Sequence, residues 1–423
     1  MKLSDEESNN LLILIEAYIN IDKSKGKDIT YDSIKAYIDI GVNLSGLKID
    51  QDDYNKLFTK IEYQFKITHT ESEVIFDEYD NIDQWYDPDK IQNNFFWDRY
   101  RKYLVSKSSL DTKSINMMDL KTLPEIINCL SDPKKDFDGK QFRRGLIIGD
   151  VQSGKTATYI GMICKAADAG YKVVILLAGI TESLRQQTQE RVDEGIIGLT
   201  KKKSGKDLLT RKVGVGLDNL PVSATSFTSC ASDFVANSDN IATSLEEHKS
   251  LVLFVIKKNV SVLQKLYTWL KDYNLDPLKG YVDQPLLLID DEADNASVNT
   301  HRDETDPTRT NKLIRNICNL FKNSTYVGFT ATPFANIFID PDSVDSMKQA
   351  DLFPKHFIYI LPTPSSYIGA DKIFYPNGPE HQNLRYIEDI EEPDYLSQEY
   401  KDLKRDNPDV LNSGTFYYKH LKE

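Results

Sequence analysis

The chain has 423 residues, 40% of them hydrophobic and 28% charged, which excludes a disordered or collagen-like protein and allows two or three domains. Its net charge of −13 excludes a protein that grips nucleic acid by bulk charge alone, because phosphate neutralisation needs a basic surface. Cys129, Cys164, Cys230 and Cys318 are too scattered for a zinc site or disulfide framework, no apolar run approaches a membrane span, and the acidic start at Asp5, Glu6 and Glu7 is unlike a signal peptide, so a cytoplasmic protein with no membrane partner is expected.

Residues 1–135 are expected to be mostly helical. Leu11, Leu12, Leu14, Ile15 and Tyr18 recur at helical spacing, as do Ile34, Tyr37 and Ile38, and later Phe95, Tyr100 and Leu104. No catalytic cluster falls there, so the segment is expected to be an accessory or docking domain. Residues 131–140, rich in Asp, Pro and Lys, suit a linker. Beyond Arg144, short apolar runs alternate with helical patterns. Strands are expected at 146–148, 173–177, 213–217, 251–256, 286–289, 326–329 and 357–361, and helices from Lys155, Glu182 and Val260 and over 311–321. Uniformly apolar strands separated by helices predict a parallel sheet covered on both faces. From residue 366 the sequence is polar.

Three segments carry chemistry. Gly149, Gly154, Lys155 and Thr156 fall in the order G-x-x-x-x-G-K-[ST], with Gln152 and Ser153 inside the loop, between an apolar run and an amphipathic helix. Backbone amides in such a loop converge on phosphates at the positive end of a helix dipole, the lysine adds a point charge, and the threonine hydroxyl ligates magnesium. ATP and Mg2+ are the expected cofactors, on a RecA-like P-loop NTPase lobe of the α/β class over residues 136–365. The run ending in Asp290, Asp291, Glu292, Ala293 and Asp294 offers a magnesium-holding acid beside a second carboxylate that can orient the attacking water. Asp291 is assigned the metal and Glu292 the water, with Asp290 as the fallback. Thr330, Ala331, Thr332 and Pro333 end a further apolar run, where Thr330 and Thr332 are expected to couple the acids to a nucleic-acid side.

Nucleic-acid contacts are expected from Thr181 and Arg185 at a helix start, and from Lys257 and Lys258 at a strand end. Asn259 reads better as a helix cap. The basic cluster of Lys201, Lys202, Lys203, Lys206, Arg211 and Lys212 reads as a solvated loop. Asp394, Glu399 and Lys401 mimic a nuclease pattern, but no apolar strands carry them.

The segments 143–198, 289–297 and 326–338, with the short D-L-F-P and Y-I-G-A runs at 351–354 and 367–370, resemble the Z-one-domain family. Its members are described as endonucleases joined to a superfamily-two helicase-like ATPase, and they occur in prokaryotic restriction and phage-defence gene clusters. The resemblance implies roles for Gly149, Gly154, Lys155, Thr156, Asp291, Glu292, Thr330 and Thr332, and adds Gln152, Arg185 and Gln187. It implies DNA as a partner, and a second RecA-like lobe bearing arginine fingers. No such lobe is legible after Pro333, so it is expected from a missing continuation beginning at 366–423, or from other defence-system proteins. The leading expectation is an ATP-driven, helicase-like DNA translocase component of a defence system. The alternatives are a nucleotide-gated recruitment switch and, on the family's label, an endonuclease subunit.

Overall fold

The computed structural model describes residues 5–362 except 26, 28, 30, 51–52, 55–56, 59, 62–71, 78–83, 108–111, 151–153, 205–206, 219–223, 236–243, 249, 296, 298–308, 338 and 340–350, and thereafter only 373, 374 and 381. By packing, the chain divides into Met1–Lys66 with Ile368–Glu423, and Ile67–Tyr367. In the first unit, helices Asp5–Ser24 and Tyr31–Ser45 bury Leu11, Ile15 and Ile19 together with Ile34, Tyr37 and Ile38. Leu11, Ile15, Ile34, Tyr37 and Ile38 are positions that the helical spacing singled out, whereas Leu12 and Leu14 are half-buried, Tyr18 is exposed, and Ile19 was not among them.

The second unit is built on one large sheet. Its strands, in chain order with a separate hairpin, are β1 Glu73–Phe76, β2 Gln141–Ile148, β3 Val173–Ala178, β4 Leu199–Ser204, β5 Asp207–Lys212, β6 Ala224–Ser226, β7 Leu251–Ile256, β8 Leu286–Asp291, β9 Asn323–Thr330 and β10 Phe357–Ile360. The sheet order is β1-β10-β2-β9-β8-β3-β7-β6, and β4 pairs only with β5. Every neighbouring pair in the large sheet is parallel except β1 with β10. The sheet is therefore mixed rather than purely parallel. Four residues are too few for β1 to show a period of two in the sequence.

Strands β3 and β7, and β8 before Asp290, are apolar throughout because helices cover both faces. Alternate residues of β3 serve opposite layers. Val174 and Leu176 join a core with Trp97, Leu123, Ile127, Ile160 and Ile163, while Val173, Ile175 and Leu177 join one with Leu263, Leu266, Trp269, Ile314 and Ile317. Helices Phe95–Lys107 and Leu123–Cys129, grouped by sequence with the helical N-terminus, thus share a core with the sheet.

Two further elements differ from expectation. Residues 213–217 form no strand; Gly216 N–H bonds Val213 O at 2.8 Å and closes a 3-10 turn over Gly214–Leu217. Alternating glycines leave that run without the side chains that stabilise a strand. Of the basic cluster, expected as a loop, Lys201, Lys202, Lys203, Arg211 and Lys212 lie on the paired strands β4 and β5, where Thr200 is buried and Lys202 pairs with Glu190, and Lys206 lies outside the described residues. The four cysteines are buried and form no disulfide. Among the described residues, no helix is long and apolar enough to cross a membrane.

Candidate nucleotide site

Parallel pairing brings four strand ends to one edge. Ile148 of β2 lies opposite Thr330 of β9, and Asp291 of β8 lies opposite Phe329 of β9 and Ala178 of β3. Open α/β sheets bind ligands at this carboxyl edge, where loops leave adjacent strands.

The loop after β2 leads into helix Lys155–Ala169 through Gly154, whose φ of 83° is left-handed. A Cβ at Gly154 would meet nothing within 4 Å, so backbone conformation and not crowding demands glycine there. Gln152 and Ser153 lie outside the described residues. The Lys155 ammonium donates to the carbonyls of Gly149 and Asp150, both at 2.9 Å. Gly149 N–H in turn donates to Thr330 O at 3.1 Å, joining this loop to the end of β9. Burial lowers the Lys155 pKa, opposed by the carboxylates of Asp291, Asp150, Asp294 and Glu292. Lys155 therefore feels the acidic turn as part of its own surroundings. Thr156, next on the helix, is half-buried.

The acids after β8 separate into distinct environments, as strand alternation requires. Asp290 is fully buried, paired to Lys258 at 2.8 Å, and accepts a hydrogen bond from the Tyr326 hydroxyl at 2.7 Å. That engagement removes Asp290 as the fallback metal ligand. Asp291 is half-buried, and burial, followed by the neighbouring Glu292, pushes its pKa up to about 6. Glu292 is exposed and sits at φ 54°, the one non-glycine at positive φ among the described residues. Such a conformation costs on the order of 1–3 kcal/mol and persists only where its surroundings hold it. Here Glu292 N–H donates to Asp291 Oδ1 at 3.1 Å, and Ala293 N–H donates to Phe329 O at 2.9 Å.

Asp294 is a feature the sequence reading left without a role. It accepts from the Thr330 hydroxyl at 2.7 Å and from the Thr332 hydroxyl at 2.6 Å. Against the upward push of burial, these two bonds hold its carboxyl below the ordinary range. The two threonines thus grip the last acid of the same turn that carries Asp291 and Glu292. The last acidic residue of the run from Asp290 to Asp294 was the available signal.

The expected nucleic-acid contacts fare unevenly. Thr181 is exposed and caps helix Glu182–Val192, accepting from Leu184 N–H at 3.3 Å. Gln187 is exposed on the same helix. Lys257 is partly exposed and pairs with Glu182 at 2.9 Å. Arg185 and Lys258 are corrections. Arg185 is fully buried, donating to Glu182 Oε1 and Ser229 O, so its charge is consumed inside the fold. Lys258 is consumed by Asp290 and by the carbonyls of Glu292 and Asn295. Asn259 caps the following helix, accepting from Ser261 and Val262 N–H groups. A cavity of about 490 Å³ lined by Ser226, Thr228, Asp233 and His248 shares no residue with the Lys155 cluster.

Residues 112–335 match the family described as type III restriction enzyme, res subunit. No curated protein matches the chain. The matched span holds Lys155, the acidic turn, Thr330 and Thr332, and on the strength of a match over more than half its length the chain belongs to the family of the type III restriction enzyme res subunit, a family of helicase-like ATPases.

Proposed function

We propose that this chain is the ATP-hydrolysing, helicase-like DNA translocase component of a restriction or phage-defence system, as its resemblance to the Z-one-domain proteins also suggests. One observation carries the reading. The Lys155 ammonium, held on the carbonyls of its own loop, shares its electrostatic surroundings with Asp291, Glu292 and Asp294 from another strand. An ammonium parked on loop carbonyls is available to a phosphate that offers it stronger acceptors.

The residues fit ATP and magnesium. The helix start beyond Gly154 is open, and its amides suit an anion. Among the described residues no cluster of three or more His, Cys, Asp or Glu forms a metal cage. Magnesium bound with a nucleotide needs none, since it keeps several waters and takes phosphate oxygens with one or two carboxylates. Asp291 and the Thr156 hydroxyl would hold it, where it would neutralise charge developing on the phosphates. Glu292 would accept the proton of the attacking water, Lys155 would bind the β and γ phosphates, and Asp294 would carry changes in that turn to Thr330 and Thr332. Full turnover in such motors calls for an arginine from a second RecA-like lobe or partner, worth ~10³–10⁵ in rate.

The test is steady-state ATP hydrolysis with and without duplex DNA. The expected result is DNA-stimulated turnover that Lys155→Ala lowers at least ~100-fold. Hydrolysis indifferent to DNA would instead support a nucleotide-gated recruitment switch. That second reading gains from the burial of Arg185 and Lys258, which removes two of the five expected nucleic-acid contacts. Hydrolysis that survives Lys155→Ala would overturn both.

A further inference from the structure

A basic pair at a strand end invites assignment to nucleic acid, yet its two lysines point in different directions. Lys257 turns to Glu182, while Lys258 turns inward beneath the acidic turn. We propose that Lys258 is a positioning residue, a three-point tether that holds the turn from Asp290 to Asn295 in its working shape. The proposal rests on reading that turn as the hydrolytic site.

An ammonium has three N–H donors and no acceptor. Lys258 makes three contacts within the turn: an ion pair with Asp290 Oδ1 at 2.8 Å, and hydrogen bonds to Glu292 O at 2.5 Å and Asn295 O at 3.0 Å. Both ends of the ion pair are fully buried. Neutralising Asp290 would need one of these contacts. The other two fall on main-chain carbonyls and span the residues that place Glu292. The first belongs to Glu292 itself, whose left-handed backbone requires support.

The tether is rooted at both ends. Lys258 N–H donates to Gly179 O at 2.9 Å, fixing its backbone to the end of β3. Asp290, on its other oxygen, accepts a hydrogen bond from the Tyr326 hydroxyl on β9. The lysine therefore links the ends of β3, β7 and β8 through its backbone amide and its ammonium, and Asp290 extends the link to Tyr326 within β9. Loss of it leaves Glu292 free to relax out of the left-handed region, swinging its carboxylate away from the Lys155 loop.

The experiment compares the intact chain with Lys258→Met and with Lys258→Met/Asp290→Leu. The double variant carries no uncompensated buried charge, so its fold is expected to melt close to the parent. Two readouts are taken, amide hydrogen exchange at residues 291–295 without nucleotide, and ATP hydrolysis separated into kcat and KM. In both variants exchange is expected to quicken by roughly tenfold or more, with kcat down by about the same factor and KM little changed. A double variant with parental exchange and parental kcat would overturn the proposal, since Lys258 would then only neutralise Asp290. If the parent chain hydrolyses no ATP, the reading of the turn as hydrolytic fails by itself. The exchange arm still decides the tether, because protection unchanged in both variants would sink it.

Discussion

Asp291 works against the fold that presents it. Burial and Glu292 raise its pKa to about 6, above its ordinary 3.8. Between those values the folded chain holds a proton that the unfolded chain has lost. Stability from this group therefore falls as pH rises through that window, and the deficit is complete above pH 6. Asp291→Asn abolishes the titration. The variant is expected to gain about 1–3 kcal/mol over the parent at pH 8 and nothing near pH 3, while losing hydrolysis. Urea denaturation midpoints at the two pH values check this, and a gain independent of pH would show that the charge is not the cause. The same residues show where residue-level reading stops. Lys155 and Gly154 were legible because eight consecutive positions carry their own geometry. Arg185 and Lys258 carry the residue types of a phosphate track, but their partners, Ser229 and Asp290, lie 44 and 32 positions away. Nothing local distinguishes an arginine that meets solvent from one that closes a core.

At the scale of elements, the site depends on how closely strands approach. Gly145 of β2 lies opposite Phe357 of β10, and a Cβ there would stand 2.1 Å from the phenyl ring. The ring fills the space that a side chain on β2 would take. Gly145→Ala is expected to destabilise by about 1–3 kcal/mol through overpacking. Phe357→Leu alone should also destabilise, but the pair together should cost less than the sum, because the smaller residue makes room. Denaturant unfolding of the four proteins closes this cycle, and strict additivity would mean that the two side chains do not compete. β10 was legible as a short apolar run, whereas its place beside β2 was not. β1 was missed because exposed four-residue strands lack a readable period, and the β4–β5 hairpin because lysines suggest a loop until cross-strand pairing supplies their backbone bonds.

For the whole molecule, the question is which residues the lobe needs in order to fold. Trp97, Tyr100, Leu123, Ile126 and Ile127 share a core with Ile147, Tyr159 and Ile163. Asp168, on helix Lys155–Ala169, accepts from Phe96 and Trp97 N–H groups at 3.0 and 2.9 Å and so anchors the start of helix Phe95–Lys107. A chain beginning at residue 136 would lose the helices that complete this core and leave the apolar side of helix Lys155–Ala169 exposed. It is expected to show no cooperative thermal transition, while a chain over 67–367 melts as one unit. Calorimetry on the two decides it, and a sharp transition in the shorter chain would mean that the helices at 95–129 are accessory after all.

Local order in the sequence was enough for the α/β class, the left-handed glycine that opens helix Lys155–Ala169, the acidic strand end and most helix starts, because each depends on residues within a few positions of one another. Contacts between distant residues decided the rest. Asp294 meets Thr330 and Thr332 across 36 and 38 positions, Lys258 reaches the carbonyl of Asn295, and the helices Phe95–Lys107 and Leu123–Cys129 share a core with the sheet. Hydrophobic periodicity says that a face will be buried but not against what, and a charge has no visible partner until the strands are ordered.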